Sequence, residues 1–205
     1  MSLQNRVLPT GEIVADPARG TLTGNRGILG FVGDRLAAPR WTHRHWILCT
    51  LTHPRGRYQG PRPDRGWTPL FFLDEAVGLA AGHRPCGYCR RAAYAGFRAA
   101  WERAQGPVEG HDGIDRVLHA ARVDARNRRP VTHRAEVATL PDGAFVALDG
   151  APWLVSGDAL LRFTPAGYAD RRSRPTGPVT VLTPAPTVAA LRAGYRPCLH
   201  ESATA

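Results

Sequence analysis

The run Cys86-Gly87-Tyr88-Cys89 narrows what this chain can fold into more than any other feature. Two thiols with two residues between them come together on a tight turn, which Gly87 suits, and supply half of the tetrahedron that zinc requires. Four cysteines in 205 residues read, in a reducing compartment, as metal ligands or reactive thiols before they read as disulfides. Upstream, Cys49 and His53 offer a Cys-x-x-x-His half-site that completes the set Cys49, His53, Cys86 and Cys89; Cys198 and His200 are the rival pair. The bland alternative is a pair of thiols buried in a core, where free cysteine is common. A redox pair ranks below both, because that motif follows a strand and opens a helix, whereas a glycine-capped helix precedes this one.

A chain of this length buries a real core as one domain or two small ones. The expected division is a basic, zinc-binding module over 1–106 and a helix plus β-rich unit over 107–205, an α+β chain in which a small zinc-knuckle α/β module precedes a β-hairpin-rich half. Residues 1–11 lack an export signal, and no run of eighteen apolar residues occurs, so a cytoplasmic location without membrane spanning is expected. The formal charge is +10, and all 27 basic residues are arginine. A field of that sign attracts polyanions, and arginine grips phosphate bidentately, which points to nucleic acid, DNA first. Arginine in place of lysine is also what GC-rich coding writes, so the missing lysine adds little.

Local signals place these residues on elements. Thr23 to Gly27 reads as a turn among short strands. Trp46 to Leu51 reads as a strand, followed by a basic loop over 54–67. Leu70 to Leu73 is a short strand; Asp74 caps a helix from Glu75 to Ala81, and Gly82 ends it. An amphipathic helix is predicted over 90–104 and another over 114–125. Asp149-Gly150 between two apolar runs signals a type I′ hairpin, with a further strand over 179–182. Thr187 is the expected cap of a last helix ending at Gly194. Leu79 to Cys86 is echoed by Leu191 to Cys198, which reads as a reused helix stop before it reads as a duplication.

The segment from Leu70 through Ala80-Ala81-Gly82-His83-Arg84-Pro85-Cys86 to Arg90 resembles the metal-binding domain of the Ada DNA-alkylation response proteins. That resemblance covers about residues 41–92. It implies a zinc site on a DNA-contacting module linked to DNA repair, with Cys49 at the position of the family's first cysteine, which accepts a methyl group from a methylated phosphate. His53 stands where the family has its second cysteine. Arg84 matches the family motif, and with Arg90 and Arg91 it is expected near phosphate.

Other chemistry is possible without that resemblance. Asp115 and His119 share a helix face at i, i+4, close to His111 and Asp112, and such a cluster can hold a hydrolytic metal; a solvated helix face is the plainer reading. No dinucleotide-binding or P-loop glycine spacing occurs, so no nucleotide cofactor is expected. The expectation is a zinc-binding, nucleic-acid-binding protein. The alternatives are a metal-dependent nuclease or hydrolase acting on DNA and a zinc-stabilised protein-interaction module.

Overall fold

The computed structural model describes residues 2–53, 56–57 and 67–204, with backbone alone for residues 53, 56 and 57. In chain order the elements are β1 (Gln4–Val7), β2 (Ile13–Ala15), β3 (Leu22–Asn25), β4 (Phe31–Val32), β5 (Arg35–Leu36), β6 (Ile47–Thr50), β7 (Thr52–His53), β8 (Gly56–Arg57) and β9 (Leu70–Phe72). Next come α1 (Glu75–Ala80), β10 (Arg84–Pro85), α2 (Arg91–Gln105) and α3 (Gly110–Arg122). The rest is β11 (His133–Glu136), β12 (Phe145–Leu148), β13 (Ala151–Ser156), β14 (Ala159–Thr164), β15 (Gly167–Ser173), β16 (Pro178–Val181) and α4 (Ala185–Arg192). The class is α+β. The basic loop expected over 54–67 lies for the most part outside the described residues.

Two six-stranded sheets carry the fold. The first has the order β10-β6-β3-β9-β1-β2 and mixes parallel with antiparallel pairs; the second, β11-β16-β12-β13-β14-β15, is antiparallel throughout. Alternation sorts the second sheet's side chains onto two buried faces. Phe145, its cross-strand partner Leu154, and Leu161 opposite Leu154 join a core with Leu48, Phe72, Ala76 and Val77 of the N-terminal half. Val146, Trp153, Val155 and Leu160 face the other way, onto Phe97 and Trp101 of α2, Ile114 and Leu118 of α3 and Leu191 of α4. Both cores therefore draw residues from either side of residue 106, and α1 joins them, with Val77 in one and Leu79 in the other.

Several elements stand where expected. Asp74 accepts the Val77 amide at 3.0 Å as the cap of α1, and α2 buries Phe97, Ala100 and Trp101. Asp149 and Gly150 both have positive φ in the hairpin. The echoed octapeptides are one helix stop used twice: His83 N–H donates to Gly78 and Tyr195 N–H to Ala190, each across a glycine with positive φ.

Three local readings are corrected. Thr23-Gly24-Asn25 is no turn but part of β3, hydrogen-bonded on both sides within the first sheet. Gly24 is needed there because a Cβ would lie 2.2 Å from the Ile47 carbonyl oxygen. Helix α3 starts at Gly110, ahead of the expected Ile114, and Gly113 serves close packing, since a Cβ there would lie 2.6 Å from Val108. Thr187 sits inside α4, which Pro184 precedes, so proline rather than a threonine cap sets its start.

His83 is enclosed between Phe72 and Trp46. Burial first, then the Arg26 and Arg122 guanidiniums, hold its imidazole well below the ordinary 6.5. The unfolded chain takes up a proton near pH 6.5 that the folded chain refuses, so this contribution is complete above that pH and lost as pH falls below it. His43, His119 and His133 are shifted in the same direction. Denaturant midpoints measured from about pH 7.5 down to about pH 5 are expected to fall, and His83→Gln, which stays neutral, is expected to remove from that slope up to about 1.4 kcal/mol per pH unit.

Candidate metal centre

The knuckle is built by strand pairing. β10 runs parallel to β6 with Pro85 opposite Leu48, and the Cys86 amide donates to the Leu48 carbonyl at 2.9 Å. This carries Cys86 to the side of Cys49, the next residue along β6. The turn then brings back Cys89 just before α2 begins at Arg91. The Sγ atoms of Cys49, Cys86 and Cys89 lie within 4.8 Å of one another, and all three cysteines are free. In a tetrahedron of 2.3 Å zinc–sulfur bonds the sulfurs stand roughly 3.8 Å apart, so a small contraction closes the cluster on an ion.

The electrostatics suit a thiolate at Cys86. The Cys49 thiol hydrogen bond, then the Cys89 and Tyr88 backbone amides, lower its pKa against the opposing effect of burial; the Tyr88 amide lies 3.4 Å from its sulfur. Cys49 is shifted upward, first by its hydrogen bond to Cys86 and then by burial. The amide dipoles thus favour negative charge on the knuckle sulfur. Three cysteines together are able to hold a metal ion, and their thiolates are ligands of the kind zinc prefers.

The other expected ligands fare differently. The side chain of His53 lies outside the described residues. Cys198 and His200 do not join the thiol cluster. Their backbone amides are held by α1, Cys198 N–H on Glu75 and His200 N–H on Asp74, and the His200 ring meets Ser202.

Beside Cys86 opens a cleft of about 710 Å³, lined by His45, Ile47, Tyr88, His111 and Asp112 among others. Asp115 lies beneath it with no exposure, gripped by Arg84 through Nε at 2.8 Å and Nη2 at 2.7 Å. Its Oδ2 also meets Nδ1 of His45 at 2.8 Å, and Asp112 approaches the same nitrogen at 3.5 Å. His45, Asp112 and Asp115 form a second group close enough for metal ligation. The Asp115 carboxylate, however, is already engaged by a guanidinium and an imidazole, which makes an ion-pair network the better description. With Nδ1 on the carboxylate, His45 keeps Nε2 for other contacts.

The geometry corrects parts of the expected chemistry. His119 does not join that group; its ring packs on Trp41 and Trp46 and its Nδ1 lies 3.2 Å from Arg122. Burial, then Arg122, Arg44 and Arg128, lower its pKa, and cations on that side oppose a metal. Arg84 is buried with its guanidinium engaged by Asp115, at the wall of the cleft rather than on the exposed surface. Arg90 donates to Glu75 at 3.0 Å and is largely covered. Arg91 alone of the three expected phosphate contacts is exposed. Unforeseen was the stacking of Arg26 and Arg122 on Trp46, whose only sequence sign was an arginine inside the Gly24 to Gly27 segment.

The chain was compared with known protein families, curated proteins and solved structures, and it matches none of them. Among the described residues no helix is long and apolar enough to cross a membrane.

Asp115→Leu leaves the Arg84 guanidinium buried without a partner and is expected to lower stability by about 3–5 kcal/mol. Adding Arg84→Met should restore most of that loss. Equilibrium denaturation of the two variants checks both halves, and equal stability of the single and double variants would refute the assignment.

Proposed function

We propose that the chain is a zinc-binding protein that contacts nucleic acid. Zinc is held by Cys49, Cys86 and Cys89, with the fourth position filled by His53 or by a group entering the cleft beside Cys86. The observation that carries the metal is the convergence of three thiols, one from strand β6 and two from the knuckle that follows β10. Such sulfurs are hard to account for as packing alone, since Cys89 is only half-buried. The strand, capped helix and knuckle over residues 70–89 follow the order of the Ada-type metal-binding domain, and kinship with it is part of this reading, as is a role in the response to DNA damage.

Nucleic acid is supported by charge placement. Arg44 and Arg128 are exposed near His119, and Arg128 donates to the Trp41 carbonyl while covering its ring. Together with Arg40 they make a basic surface beside the metal-bearing sheet. The phosphate contacts belong to this surface and to Arg91, rather than to Arg84 and Arg90.

A second reading, metal-assisted hydrolysis in the cleft, rests on His45, whose Nδ1 is fixed by the buried Asp115 while its other nitrogen stays available. It predicts phosphodiester cleavage that His45→Ala abolishes while zinc content is kept.

Protein purified under reducing conditions is expected to hold about one equivalent of zinc per chain, as a site of this kind does. Cys49→Ser, Cys86→Ser and Cys89→Ser should lose most of it, whereas Cys198→Ser keeps it. Elemental analysis decides, and zinc retained in all three ligand variants would reject the site. Duplex binding should weaken steeply as salt rises, because bound arginines release condensed counterions. Arg44→Gln with Arg128→Gln should weaken it and flatten that dependence; binding unaffected by salt would reject the nucleic-acid half.

A further inference from the structure

Trp46 also lines a cavity of about 380 Å³, of the size that encloses a small metabolite. Its lining includes Arg26, Arg40, Arg122 and Arg128, against one acidic side chain, Glu12. Arg26 is 2% exposed and Arg122 3%. Among the described residues neither forms an ion pair with a carboxylate. Arg26 donates from Nη1 to the Gly11 carbonyl at 2.9 Å and from Nε to His83 at 3.4 Å, but its buried Nη2 meets no acceptor. Arg122 spends Nη1 on Gly82 and Nη2 on Arg44, and its buried Nε likewise meets none.

Burying an uncompensated guanidinium costs several kcal/mol. Each of these two does stack on the Trp46 ring, at 4.0 Å and 4.1 Å from its centre. A cation–π contact returns only about 0.5–2 kcal/mol. Asp115 meets the remaining cost for Arg84 and Glu75 for Arg90, whereas Asp115 reaches Arg122 through its field alone; Arg6, also buried without an ion pair among the described residues, does not line this cavity. Around Arg26 no carboxylate of the described residues supplies that compensation.

We propose that this cavity binds a phosphomonoester, with its phosphate drawn against the buried Arg26 guanidinium, whose Nη2 lacks a partner, in the field of Arg40, Arg122 and Arg128. Four cations against one carboxylate favour a dianion over a carboxylate ligand, and guanidinium matches phosphate geometry. The space left over is walled by Ile13, Val14, Val131 and Leu182, which suits the organic body of the ligand. The phosphate belongs either to a free small molecule or to the end of a nucleic acid strand; the chemistry recognised is the same. The site does not depend on the thiol cluster.

The test is calorimetric titration of the full chain, metal included, in low-phosphate buffer with inorganic phosphate, adenosine 5′-monophosphate and adenosine. Paired oligonucleotides with and without a 5′-phosphate form the second arm. Saturable binding of the phosphates but not of adenosine is expected. Arg26→Met should weaken it by roughly tenfold or more, the loss of one charge-assisted hydrogen bond. It should also abolish the rise in thermal midpoint that phosphate gives the parent protein; a purely structural arginine, whose loss lowers the midpoint alone, would leave that phosphate-induced rise in place. Glu12→Gln, exposed and harmless to folding, should tighten binding a few-fold. Binding confined to the 5′-phosphorylated strand identifies a strand end, and binding of the free monophosphate identifies a metabolite; either upholds the site. Absence of saturable binding to every phosphate probe overturns it, as do affinities unchanged in both variants.

Discussion

The arrangement of this molecule depends on a two-residue parallel ladder, β10 against β6. Arg84 N–H on Trp46 and Cys86 N–H on Leu48 hold the strand after the first helix against the strand that carries Cys49. Two ladder bonds are weak alone, and what secures them is the Arg84 side chain, clamped bidentately on Asp115 of α3. The same ion pair thus fixes the knuckle beside Cys49, ties α3 to the first sheet and orients His45. Removing either charge removes the geometric basis of the thiol cluster and the cleft together.

That dependence explains which parts of the fold and site could be read beforehand. Asp74, the Ala81-Gly82 stop, the Asp149-Gly150 turn and the apolar face of α2 are local: each is decided by a few neighbouring residues and survived assembly. The proximity of Cys86 and Cys89 was local in the same way. Gly24 misled because a glycine demanded by a close backbone approach looks, in sequence, like a glycine demanded by a turn. Arg84 misled because whether an arginine meets phosphate or carboxylate depends on Asp115, thirty-one positions away. Nothing in residues 20–27 announces that Arg26 will be buried, since its enclosure requires Trp46, His83 and Arg122 from three distant segments.

Most buried charge in this fold is answered by a partner within the chain. Asp74 answers to the Val77 and His200 amides and the Tyr168 hydroxyl, and Glu75 to Arg90, Tyr195 and the Cys198 amide. These two adjacent acids at the start of α1 anchor the C-terminal segment by its backbone, which is why Cys198 and His200 are fixed in place without serving as metal ligands. Asp115 is likewise satisfied. Arg6 and the pair of arginines on Trp46 lack such an answer at some of their nitrogens, and of these it is the Trp46 pair that lines the 380 Å³ cavity, a combination that marks a site for an external partner more reliably than net charge does.

The strand and approach carrying His45, Trp46 and Cys49 link the two centres. Trp46 forms part of the cavity wall with the arginines, His45 faces the cleft, and Cys49 enters the thiol cluster, all within five consecutive residues. Arg122 and Asp115, two helical turns apart on α3, hold this segment from the same side, the one through the Arg44 carbonyl and the other through His45. Arg26 and Arg122 thus stack on the same segment that carries Cys49. The cavity and the thiol cluster therefore both take their geometry from the fixed position of this one strand.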